Sequence, residues 1–136
     1  MKKLLLLSVL LIFACSGDDS NDNTSGTTDN SFNPPNWIQG VWMGLPPIDF
    51  IGYEFRVDDL CTILNSQATC NKAIIELSEN TGQGYQTNVY EEISDTRYFV
   101  VFTAINIEQT YEFEKISENE IRHIQTSSTS TILTKQ

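Results

Sequence analysis

Three features of the 136-residue chain predict an all-β fold. Apolar and polar residues alternate along most of the sequence beyond Pro34-Pro35, and turn-forming groups separate these runs at close, even spacing. No segment carries an apolar 3–4 spacing long enough for a substantial helix. The expected architecture is a small antiparallel up-and-down barrel of about eight strands, with a sandwich as the alternative. The barrel is favoured because closure leaves no exposed strand edge.

The first segment stands apart from that fold. Lys2-Lys3, the apolar run Leu4–Phe13 and the small Ala14 before Cys15 have the three parts of a secretion signal, which places a cleaved signal peptide over 1–14. The run is too short to cross a bilayer core of about 30 Å, which needs roughly 20 helical residues. Ile12-Phe13-Ala14-Cys15 resembles the bacterial lipobox, although Phe13 is bulky for its position. The resemblance implies that Cys15 is acylated and becomes the first mature residue, so that the partner of the chain is a membrane, held by a covalent lipid anchor. Each buried methylene contributes about 0.8 kcal/mol, so two or three palmitate-like chains make such an anchor effectively permanent. Cys15-Ser16-Gly17-Asp18-Asp19 is similar to the acid-rich export signal of Bacteroidota-type surface lipoproteins. It implies an outer-membrane location facing the cell exterior, the periplasmic face being the alternative.

Between Ser16 and Asn33 every residue except Phe32 is Ser, Thr, Gly, Asp or Asn. A stretch with so little apolar surface cannot offset its ordering entropy, and residues 15–35 read as a disordered polar tether. The remaining residues, 36–136, suffice for one modest domain.

Within that domain, Ile51, Tyr53, Phe55 and Val57 share one strand face, and Tyr85, Thr87, Val89, Glu91 and Ile93 repeat the period of two. Tyr98–Ala104 is almost wholly apolar, as a strand covered on both sides would be. Tyr111, Phe113 and Glu120–Gln125 continue the alternation, and Thr129–Thr134 supplies a last β-branched strand. Cys70–Ser78 is ambiguous: Ala73, Ile74 and Leu77 would line a helical face, yet the β-branched Ile74-Ile75 and the short length favour a strand. Turns are expected at Asp58-Asp59, Asn65-Ser66, Asn80-Thr81-Gly82, Ser94-Asp95, Ser117-Glu118-Asn119 and Ser127-Ser128.

Loss of Lys2 and Lys3 with the signal moves the formal charge from −10 to −12. Such an acidic surface disfavours nucleic acid and anionic lipid, whose binding rests on Lys and Arg, and it keeps the chain soluble. With Cys15 committed to lipid, Cys61 and Cys70 form the one remaining pair, and a disulfide is expected outside the cytoplasm.

Trp37-Ile38-Gln39-Gly40-Val41-Trp42 resembles the opening of lipocalin-like domains, with Gly40 and Trp42 on the Gly-x-Trp motif, and Tyr111–Lys115 is similar to hairpins of small lipoproteins of that build. Met43–Pro47 interrupts the first strand, and the domain is short for a lipocalin. The resemblance implies a Trp beneath a cation from the last strands, Arg122 or Lys135. Trp37 would plug one end of the barrel.

Catalytic signatures are missing from the sequence: there is no Gly-x-Ser-x-Gly, His-Glu-x-x-His, phosphate loop or Cys-x-x-Cys. Glu91 and Glu92 are adjacent on a strand and point to opposite faces, while Glu112 and Glu114 lie opposite Tyr111 and Phe113, in water. Asp58-Asp59 serves a turn, and the single His123 reads as a surface or satisfied core residue. No enzyme, metal or cofactor is expected. The expected function is binding. Trp42, Tyr53, Phe55, Tyr98, Phe102, Tyr111 and Phe113 would line a cavity for a small apolar or mixed-polarity ligand, oriented by Arg97 or Arg56. The alternative is a protein-interaction or inhibitor module with a solid core.

Overall fold

Successive side chains of a strand face opposite sides of the sheet, so a period of two sends one apolar row inward. The computed structural model describes residues 25–136. The signal peptide, Cys15 and the tether up to residue 24 lie outside the described residues. The elements are β1 (Ser25–Asp29), β2 (Gly40–Gly44), β3 (Ile51–Phe55), β4 (Leu60–Leu64), β5 (Gln67–Cys70), α1 (Asn71–Asn80), β6 (Asn88–Ile93), β7 (Arg97–Ala104), β8 (Ile107–Lys115), β9 (Glu120–Thr126) and β10 (Thr129–Lys135).

Among the described residues these strands form one antiparallel sheet in the order β1-β6-β7-β8-β9-β10-β2-β3-β4-β5. Two meanders, β2 to β5 and β6 to β10, join where β10 meets β2 with Lys135 opposite Trp42. The result is the expected up-and-down class, curled into a half-barrel. Two-residue turns at Asn65-Ser66 and Ile105-Asn106 have both residues at positive φ, the hairpin geometry whose twist suits antiparallel strands.

Closure, however, is not by hydrogen bonds. Strand β5 has no ladder to β6 or β1, and α1 stands at this seam, packed on β4 and β7. The expectation of a strand at Cys70–Ser78 is therefore corrected: after Cys70 the chain is helical. Its cap comes from far away. Asp59 Oδ1 accepts from the backbone N–H of Lys72 at 2.9 Å and of Leu60 at 2.8 Å, and Asn71 Nδ2 donates to Leu60 O at 2.6 Å. These bonds, with burial of Asn71, Ile75 and Ser78, outweigh the weak helix propensity of paired isoleucines. Leu77, expected on the buried face, points to solvent. The disulfide is present: Cys61 and Cys70 face each other across β4 and β5, immediately before α1.

The folded body also begins before residue 36. Strand β1 pairs with β6, and Phe32 is 1 % exposed with its ring edge-on to Phe102 at 5.3 Å. The strap after β1 is held by Glu91, whose two carboxylate oxygens accept from the Asn33 backbone N–H at 2.9 and 3.0 Å. Glu91 is 1 % exposed and also accepts from Tyr98 Oη at 2.5 Å. Burial, then the adjacent carboxylate, pushes the Tyr98 hydroxyl well above its ordinary value. Three further expectations shift slightly. Val57 and the Tyr85–Thr87 stretch fall outside strands, and β7 is buried on one face only, with Phe99 and Val101 half-exposed on the other.

Candidate functional site

Six of the expected ligand residues meet in a chain of rings. Tyr53 lies 5.1 Å from Phe113, 5.8 Å from Tyr111 and 6.3 Å from Phe55, centroid to centroid. Phe113 contacts Phe55 edge-on at 4.9 Å and stacks on Tyr98 at 6.4 Å, while Tyr111 stacks on Phe102 at 6.1 Å. These rings come from β3, β7 and β8, where alternation points every second side chain inward. They mostly fill the interior instead of lining a void: Phe55, Tyr98, Phe102 and Phe113 are fully buried against one another.

Trp42 belongs to the same core but occupies one end of it. Its Nε1 donates to Ile38 O at 2.6 Å, and Lys135 Nζ stands 5.1 Å over the ring. The cation is thus Lys135; Arg122 pairs with Glu114 at 2.9 Å on the outer face. Gly40 explains the Gly-x-Trp spacing here. It sits at φ +121°, and a Cβ would meet Lys135 Cε at 3.1 Å, disturbing the stem that crosses the tryptophan. Trp37 packs against the core beside it and donates from Nε1 to Ser94 O at 2.9 Å.

The two arginines proposed to orient a ligand do not enter the interior. Arg97 lies on the outer face between Glu112 at 2.7 Å and Glu92 at 2.8 Å, with its guanidinium over Phe99. Those carboxylates, Glu112 first, raise its pKa. Arg56 is bound to Glu54 on the surface.

At the end opposite Trp42, the interior opens into a pocket of about 260 Å³. Its walls are Ile48, Ile51 and Leu133; its polar lining is Tyr53, His123, Gln125 and Thr131. His123, 7 % exposed, stacks on Phe113 at 4.9 Å, and its Nδ1 lies 3.2 Å from Tyr53 Oη. Burial lowers its pKa to about 4, so the imidazole is neutral near pH 7, and burial likewise raises the Tyr53 hydroxyl. A shallower groove of about 320 Å³ continues from Ile48 and Thr131 over Leu45, Pro46 and Pro47. Of the expected ligand residues, Tyr53 alone lines this pocket. His123 had a signal available, the alternation Ile121, His123, Gln125; what it lacked was any local sign that the barrel ends there.

Asp59, Cys61 and Cys70 bring three potential metal ligands together, yet both sulfurs are in the disulfide and Asp59 Oδ1 is engaged by two backbone N–H groups. A disulfide sulfur is not the thiolate a metal needs. Comparison of the chain with family models, with curated proteins and with solved structures finds no match.

Proposed function

We propose that the mature chain is a lipid-anchored lipoprotein of the outer membrane, facing the cell exterior, whose half-barrel binds a small apolar or mixed-polarity molecule without catalysis. The anchor rests on Leu4–Phe13 followed by Ala14-Cys15. The observation that carries the binding role is the pocket whose apolar walls end on the hydrogen-bonded pair Tyr53–His123. Its volume is just below the roughly 300 Å³ at which drug-sized sites begin, which fits a small molecule or one end of a longer one. Native mass spectrometry of the purified protein tests this: a retained small molecule, lost on Tyr53→Ala, is expected. Labelled palmitate should mark the wild-type chain and not Cys15→Ser, and protease should shave the domain from intact cells.

A second reading, a protein-interaction or inhibitor module, draws on the filled aromatic interior and on exposed apolar residues. Leu45, Phe50, Leu64, Ile105 and Ile107 are all exposed, and all belong to strand ends and turns on the pocket's side of the sheet. Capture of a defined protein partner by an empty pocket would favour it.

A further inference from the structure

We infer that the mouth pocket selects an uncharged ligand, an apolar body carrying a single hydrogen-bonding group that docks at the Tyr53–His123 pair. This rests on the pocket being the binding site.

The lining holds three aliphatic side chains, two neutral hydrogen-bonding side chains and the Tyr–His pair, and no Lys, Arg, Asp or Glu. Arg97 and Arg122 lie on the outer face and are already bonded to carboxylates. A carboxylate or ammonium entering this space would shed water without gaining a counter-charge, a cost that an apolar wall does not return. The acidic surface, which by itself suggests a cationic partner, does not extend into the pocket. Tyr53 Oη and His123 Nδ1 engage each other, and either tautomer of a neutral imidazole leaves its other nitrogen with one remaining role, donor or acceptor. A hydroxyl or an amide satisfies both possibilities because each can donate and accept. The groove past Ile48 toward Leu45 and Pro47 then gives an apolar body a place to lie.

The test uses three molecules of one shape and different charge: benzyl alcohol, benzoate and benzylammonium, titrated into the mature chain near pH 7 while the His123 imidazole is followed by NMR. Benzyl alcohol is expected to shift His123 saturably, with the two ions at least tenfold weaker. Tyr53→Phe, which keeps the ring and removes the hydroxyl, should weaken benzyl alcohol several-fold, and so should His123→Gln, followed through the Tyr53 ring resonances instead. If benzoate or benzylammonium binds as well as the alcohol, the inference of an uncharged ligand falls and the pocket remains a binding site. If none of the three moves His123, both the inference and the binding reading at this pocket are overturned.

Discussion

The two ends of the half-barrel are built from the same kinds of residue and reach opposite outcomes. At one end Trp42 is fully buried, with its Nε1 bonded to Ile38 O and Lys135 over its ring, and Trp37 Nε1 is bonded to Ser94 O. At the other end Tyr53 and His123 satisfy each other sideways and leave an opening above them. The closed end gains from dense packing and from a cation placed on an aromatic face. The open end gives up that packing, keeping a neutral polar pair at the base of an apolar funnel. A tightly packed plug and an open pocket thus lie at different ends of one sheet.

The largest expected effect breaks the closed end. Trp42→Ala removes a fully buried indole and the ring beneath Lys135, and should cost about 3–5 kcal/mol in urea unfolding. If the loss is no greater than for an exposed residue, Trp42 does not seal that end.

Next comes the pH response of the open end. Folded His123 has its pKa near 4, against an ordinary value of 6.5, so the unfolded chain takes up a proton that the folded chain refuses. Stability is therefore full above about pH 6.5, falls as pH drops toward 4 and levels below that, a loss of roughly 3 kcal/mol at most. Unfolding of His123→Phe over this range should lack that component.

The disulfide lies beside the seam, at the start of α1. Cys61→Ser with Cys70→Ser should destabilise by about 2.7 kcal/mol in the chain-entropy model. Hydrogen exchange should show α1 and the edge strand β5 loosening before the rest of the sheet does, since α1 joins the body through Asp59, Asn71 and a few buried side chains. Uniform loosening would mean that the helix is held by packing alone.

The smallest effect is a gain. Ile105 is a β-branched residue at φ +53°, 41 % exposed, in the turn between β7 and β8. Ile105→Gly relieves the left-handed strain and should raise stability by about 1 kcal/mol. Such a gain would identify Ile105 as a residue kept at the open end against local preference, and a loss would show instead that its side chain packs there.

Much of this was legible in the sequence, and the reason is locality. The alternation of Tyr98, Val100 and Phe102 inward with Arg97, Phe99 and Val101 outward depends on each residue's neighbours, so it can be read before any pairing is known. Hairpin turns are equally local. The helix is not legible because its stabilising groups are not local: Asp59 lies thirteen residues before the N–H it caps, and α1 packs on strands from both halves of the chain. Phe32 was hidden for a similar reason, a lone aromatic in a polar run whose partner, Phe102, is seventy residues away.

By itself the sequence determined the all-β class, the inward rows of the strands and the one cysteine pair of the domain, because periodicity and count need no third dimension. The tertiary structure alone decided that Lys135 and not Arg122 covers Trp42, that Arg97 is spent on the outer face, that a helix stands at the seam and Glu91 holds the strap after β1, and that Tyr53 and His123 meet beneath an opening. Those outcomes follow from cross-strand register and from which loop lies over which end, and neither is a property of any short stretch of chain.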